Sequence, residues 1–252
     1  MGKINKTIVE SLSVSLADSA FPVVLTRRNG QKHIRIRISL EGKVTISAPP
    51  HTSHEELQKV LKQKESWIIG KLQEVSGNSD RFDPLRTLYL NGQPYTLDFT
   101  RSSGRRFHLS TEHKNHCIHL SGPSESRAEL EYLLAQWLRQ EAKKTLIPLA
   151  EETSRFLHIP YRRIFLRNQR SRWGSSSSRG NISLNWRVVM LSPAVQRYLI
   201  IHELAHQREL NHSIHFWKLV ERFCPNYRDH EKNLKAYLPL MGLFRSPRIP
   251  KS

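Results

Sequence analysis

Apolar residues alternate with arginines at Ile34-Arg35-Ile36-Arg37-Ile38, the pattern of a strand with one face buried and one in water. Glu41-Gly42 turns this strand toward a second at Val44-Thr45-Ile46. The period then lengthens. Leu57, Val60, Leu61, Trp67, Ile68 and Leu72 supply the apolar positions of a helix over 54–74, and the Gly/Asn/Ser/Asp stretch Ser76–Asp80 breaks it. Leu88-Tyr89-Leu90, Asn91-Gly92 and Tyr95–Phe99 predict a hairpin with a tight primed turn, and Phe107–Leu109 with Cys117–Leu120 predict another. Residues 1–20 read as a loosely ordered tail.

After Ser121-Gly122-Pro123 the pattern becomes helical from Ser124 to about Leu157, with Leu130, Leu134, Leu138, Ala142, Leu146 and Leu149 among its apolar positions. Pro148 should kink or interrupt this helix, since its ring opposes the preceding turn and it lacks an N–H. Ile164–Leu166 and Ile182–Trp186 predict strands joined by the Arg/Ser-rich segment 167–180. Ser192-Pro193 starts a further helix, with a hydroxyl at the cap and proline at the first helical position. Along it Val195, Leu199, His202 and His206 recur at helical spacing. Asn211, as a left-handed stop, ends this segment, and Ser213 caps a helix striped by Phe216, Trp217, Leu219, Val220 and Phe223 up to Pro225.

Residues 202–206 of the first of these helices read His-Glu-Leu-Ala-His. One helical turn separates His202 from His206, so both imidazoles reach one ion from the same face. Glu203, beside the first, is placed to address a water on that ion. His212 falls in the turn between the two helices and can fold back toward the same ion. The His-x5-His spacing matches the metzincin pattern, although Glu209 stands where that pattern has glycine. His215 and Glu221 compete with His212 for the third position. Three neutral imidazoles leave Zn²⁺ its charge and an open fourth position, the makings of hydrolysis by a zinc-activated water with Glu203 as general base. Arg172 and Tyr227 are candidate donors to the developing oxyanion.

Trp173-Gly174-Ser175, Asn181-Ile182-Ser183-Leu184-Asn185-Trp186, His202-Glu203-Leu204-Ala205-His206 and Asn211-His212-Ser213 with Phe216-Trp217 together resemble the YgjP-like metallopeptidases, a family related to the SprT-like zinc peptidases. The likeness runs from about Arg27 to about residue 240. Ser176 is a departure, at a position where members often carry cysteine. The resemblance implies His202, His206 and His212 as zinc ligands, Glu203 as catalytic base and a peptide or protein substrate. In zinc peptidases of this type an edge strand near the metal pairs with an extended substrate, which would put substrate binding at the main chain near Asn185.

The expected architecture is α+β: a zincin-like catalytic region over 121–245, with a small sheet packed on the metal-binding helix, preceded by a β-rich region with one helix over 21–120. Tails would occupy 1–20 and 246–252. Two cysteines far apart, Cys117 and Cys224, suit a reduced, cytoplasmic protein. No apolar run is long enough to span a bilayer, and no membrane association is expected. The formal net charge is +18 and the pI about 10.3. Arg162, Arg163, Arg167, Arg170 and Arg172 cluster in one segment, interleaved with Tyr161, Phe165 and Trp173, as in a surface for DNA or RNA. A solvated basic face, or a general pull on acidic substrates, would use the same charges. Two other functions stand beside the peptidase: a zinc hydrolase of non-peptide bonds, and a basic nucleic-acid-binding protein with a structural or degenerate zinc site. The cysteines lie far from the histidines, which weighs against a closed structural site, and the intact Glu203 weighs against degeneracy.

Overall fold

The computed structural model describes residues 8–16, 19–39, 42–81, 83–104, 106–169 and 171–244. The chain forms a mixed α+β fold divided into two compact units, residues 1–81 and 82–252. The strands after residue 86, grouped from sequence with the N-terminal region, thus share a unit with the long helix and the histidine motif. The C-terminal tail expected at 246–252 lies outside the described residues.

In the first unit, strands β1 (Ile8–Leu16), β2 (Ser19–Arg27), β3 (Arg35–Ile38) and β4 (Val44–Ala48) form a sheet in the order β1-β2-β4-β3. β2 and β4 are parallel, and the other neighbours antiparallel. Of the loose tail expected over residues 1–20, residues 8–16 are corrected to a strand, since β1 pairs with β2 from Ile8↔Arg27 to Leu16↔Ser19, and residues 1–7 lie outside the described residues. Its signal was present in the alternation of Leu12, Val14 and Leu16 with Ser11, Ser13 and Ser15. The single helix expected over 54–74 is two, α1 (His54–Gln63) and α2 (Glu65–Arg81), and α2 runs through the Ser76–Asp80 stretch. A reciprocal capping box between Ser53 and Glu56 opens α1. The core is Val23, Leu25, Val44, Ile46 and Ala48 of the sheet against Leu57, Leu61 and Ile68.

The second unit begins with β5 (Thr87–Leu90), β6 (Gln93–Arg101), β7 (His108–Glu112) and β8 (Cys117–Gly122), in the order β5-β6-β8-β7. Both expected hairpins form, and Asn91 (φ 52°) and Gly92 (φ 78°) give the primed turn its two left-handed residues. α3 (Arg127–Leu157) passes through Pro148, which does not interrupt it. Leu134, Leu138, Ala142, Leu146 and Ala150 bury one stripe on both sides of the proline, so packing holds the helix where local preference would break it.

β9 (Arg163–Arg167), β10 (Gly174–Ser176) and β11 (Asn181–Asn185) make a second, three-stranded sheet of this unit, ordered β10-β11-β9, with β11 parallel to β9 and antiparallel to β10. A 3-10 helix, Trp186–Met190, then leads into α4 (Pro193–Ala205), α5 (Ile214–Phe223) and α6 (Tyr227–Ala236). α4 buries Val195, Tyr198, Leu199, Ile200, Ile201, Leu204 and Ala205, which leaves little of its surface for water. Among the described residues no helix is long and apolar enough to cross a membrane.

The β5–β6 turn fixes the entry to α4. Asn91 and Gly92 donate their amides to Val189 O (2.7 Å) and Met190 O (3.1 Å). Gln196 Nε2 donates to Asn91 Oδ1, Val189 O and Leu191 O. A methyl group on Gly92 would stand 2.8 Å from the Cα of Ser192, the residue that precedes α4, and would also force a left-handed conformation on alanine. Gly92→Ala is therefore expected to lower unfolding free energy by about 1–3 kcal/mol, from strain and overpacking together. Urea denaturation checks this, and an unchanged midpoint would show that the turn yields freely.

Candidate functional site

The histidine motif lies on the last turn of α4, which ends at Ala205 with His206 as its right-handed cap (φ −65°). Gln207 N bonds Leu204 O and Arg208 N bonds Ala205 O, so the chain leaves the helix by a tightened turn. Asn211 is not among the residues with positive φ, and the expected left-handed stop there is not used. Ser213 does cap α5, accepting from the amide of Phe216 at 3.3 Å. Ser192 precedes α4 with Pro193 at its first turn, but its hydroxyl makes no capping bond.

The turn between α4 and α5 carries His212 back over α4. Nitrogens of His202, His206 and His212 all lie within 4.8 Å of one another, and among the described residues this is the group of ligand-type side chains able to hold a metal ion. His212 Nε2 and His202 Nε2 are 3.1 Å apart. Two imidazoles at about 2.0–2.1 Å from one tetrahedral zinc would have their nitrogens about 3.3 Å apart, so the pair is already near ligand spacing. His206 Nδ1 lies 3.0 Å from the Glu209 carbonyl, which accepts its proton and leaves Nε2 with a free lone pair for a metal. His215 and Glu221 are exposed on α5 and outside the group.

Aromatic rings hold each imidazole. Phe216 stacks on His206 (4.5 Å, 30°) and Trp217 on His212 (5.5 Å, 28°), while Tyr198, one turn before His202, meets it edge-on at 6.0 Å. Sequence reasoning gave Phe216 and Trp217 only a packing role; their place in the first turn of the helix that follows His212 was the available signal. Burial pushes His202 down to about 3, and His206 also below the usual imidazole range, so both are neutral at pH 7 as ligands must be.

Glu203 is 4% exposed, and its Oε2 is buried with no hydrogen-bond partner. Burial raises its carboxyl to about 8, against the opposing pull of Arg172. Across from it lies Gly174 of β10, a residue that sequence analysis quoted but gave no role. A Cβ there would stand 2.8 Å from Glu203 Cδ and closer still to Oε1. Gln207 Nε2 donates to Ser176 Oγ, which ties the end of β10 to the turn that follows α4. An orphaned carboxylate oxygen beside three convergent imidazoles fits a metal ion with a water on it.

Asn185 does not serve as expected. β11 is the central strand of its sheet, paired on both sides, and Asn185 is fully buried. Its amide donates to Trp173 O (2.7 Å), its Nδ2 to Gln169 O (2.9 Å) and Arg172 O (3.4 Å), and its Oδ1 accepts from Arg187 N. It binds Gln169, Arg172 and Trp173, and its strand is paired on both sides, which leaves it no edge for a substrate strand. The free edges of this sheet are β10 and β9.

Tyr227 is buried, stacked on Trp217 (5.1 Å, 19°), with its hydroxyl accepting from Arg228 Nε. Arg162, Arg163, Arg167 and Arg172 are exposed; Arg170 lies outside the described residues.

Residues 32–237 match the family model described as the YgjP-like metallopeptidase domain. The chain belongs to the YgjP-like family. A comparison with curated proteins finds none that matches. Among solved structures, the metallopeptidase zymogen abylysin of Pyrococcus abyssi is similar at 26% identity, with 37% of this chain and 95% of that chain covered and a TM-score of 0.35. Family membership and the histidine cluster together support a metal-dependent enzyme of metallopeptidase type.

The ligand set of this YgjP-like chain is open to a direct check. After loading with zinc and desalting, His212→Ala is expected to lose most of its metal by elemental analysis, whereas His215→Ala keeps it. The reverse result would move the third ligand onto α5.

Proposed function

We propose that this protein is a zinc-dependent metallopeptidase with a zincin-like site, in which His202, His206 and His212 hold the ion and Glu203 is the general base. The observation that carries this reading is the buried, unpartnered Oε2 of Glu203, the residue after His202, with three imidazoles whose nitrogens lie within 4.8 Å of one another. An all-imidazole set suits zinc. Among the described residues the group has three members, which leaves the fourth position open as a catalytic site requires. Zinc bound there supplies a Lewis acid, a water of lowered pKa and a positive charge that favours ionised Glu203.

The protein's own residues do the rest. Glu203, shielded from bulk water, takes the proton of the attacking water and passes it to the leaving amine nitrogen. The glycine at 174 lets the carboxylate lie against the β10 backbone, and the burial of α4 keeps it there. β10 has β11 on one side and, among the described residues, no strand on the other. An extended peptide adding to that free edge would run beside α4, with main-chain hydrogen bonds holding it in register. Exposed Arg172, close enough to act on Glu203, is then the candidate donor to charge developing on the scissile carbonyl oxygen.

Two substitutions separate binding from chemistry. Glu203→Gln is expected to retain zinc and to lose at least about 100-fold in turnover of a peptide selected from a quenched-fluorescent library. Undiminished turnover would refute the base assignment. Gly174→Ala should also retain zinc, because it touches no ligand. By displacing the carboxylate it should cost about 10- to 100-fold in kcat with a smaller effect on KM.

A further inference from the structure

The arginines of β9 have no part in the hydrolytic site, and the strand arranges them. Side chains alternate along a strand, so Arg163, Phe165 and Arg167 project from one face of β9 at steps of about 6.6 Å. Arg163 and Arg167 are exposed, and the Arg167 guanidinium lies over the Phe165 ring, 4.8 Å from its centre. At the start of the strand, Arg162 donates its amide to Gly180 O (2.7 Å), which brings it against the β10–β11 turn that carries exposed Arg179. At the other end, Arg167 is in register with Asn185, whose side chain holds the Arg172 carbonyl. Cations therefore mark both ends and the length of an outer strand.

None of Arg162, Arg163, Arg167 and Arg179 makes an ion pair among the described residues, whereas Arg127 and Arg197 elsewhere in the same unit do. Like charges gathered without counter-charges repel one another and are relieved by a polyanion. The net charge of +18 adds a long-range attraction of the same sign.

We infer that this face of β9 binds single-stranded nucleic acid. The guanidinium groups take phosphate oxygens in paired hydrogen bonds, and the Phe165–Arg167 stack offers a base a flat surface with a planar cation. The carboxylates of an acidic polypeptide would meet the same charges but leave the stack unused, whereas every nucleotide brings a base to it. A row one strand wide also follows a single phosphate chain more closely than the two chains of a duplex.

The test is fluorescence anisotropy of the full-length protein with a labelled oligothymidylate of about 20 nucleotides, titrated at about 50 and about 200 mM salt. Arg163→Glu with Arg167→Glu is compared with Lys59→Glu and Lys62→Glu on α1, which change the net charge equally. Wild type is expected to bind, and more weakly at the higher salt. The β9 pair should lose more than about 10-fold and the α1 pair less than about 3-fold. Arg163→Gln with Arg167→Gln removes the charge more gently and should show the same order if the reversal does not fold. Equal losses in the β9 and α1 variants, or no binding by wild type, would overturn the inference. So would tighter binding to a duplex, or displacement of the oligonucleotide by polyglutamate at an equal charge concentration, which would point to an acidic protein partner. The readout needs neither zinc nor hydrolysis, so failure of the peptidase reading would leave it standing.

Discussion

A carboxyl oxygen held in a protein interior without a hydrogen-bond partner is costly, and the second unit is built so that Glu203 Oε2 stays in that condition. Relief would be simple if α4 could rotate or slide, because water lies within a few ångströms of most helix surfaces. α4 cannot do so. Its apolar residues are buried around most of its circumference, and its start is bonded through the 3-10 helix and Gln196 to the β5–β6 turn. At its far end Gln207 is fixed to Ser176. The rigidity of the helix and the exposed chemistry of its last turn are therefore one design: the scaffold prevents the carboxylate from finding a partner of its own.

The imidazoles pose the opposite problem. Their ring nitrogens must converge on one point while remaining neutral. For His202 and His206 burial supplies the neutrality, pushing His202 to about 3. Convergence comes from flat neighbours, with Phe216 and Trp217 acting as walls that restrict rotation of His206 and His212. α5 thus shapes the site although it contributes no ligand. Preorganisation of this kind reduces the ordering that a bound ion would otherwise have to impose.

Much of this could be read from the chain because it was written in local patterns. The primed turn at Asn91-Gly92, both hairpins of the second unit, the strand at Ile164–Leu166, the strand expected at Ile182–Trp186 apart from Trp186, which starts the 3-10 helix, and the turn position of His212 all follow from short-range signals. What escaped was set by distant partners. Three residues of β10 carry too little pattern to be recognised, yet their pairing with β11 turns Asn185 from an edge residue into a buried one. Pro148 breaks helices in isolation, and only the buried stripe of α3 shows why it does not do so here. Glu209 in the place of a conserved-pattern glycine looked like a mismatch because sequence records side chains, whereas the group in use there is a carbonyl.

That carbonyl has an evolutionary consequence. His206 is oriented by the backbone oxygen of Glu209, which every amino acid possesses. The side chain at 209 is free to drift under mutation without disturbing the tautomer of the imidazole, provided that the turn keeps its path. Selection at this position then acts on loop length and backbone shape, so insertions or deletions between His206 and His212 would be purged more strongly than substitutions.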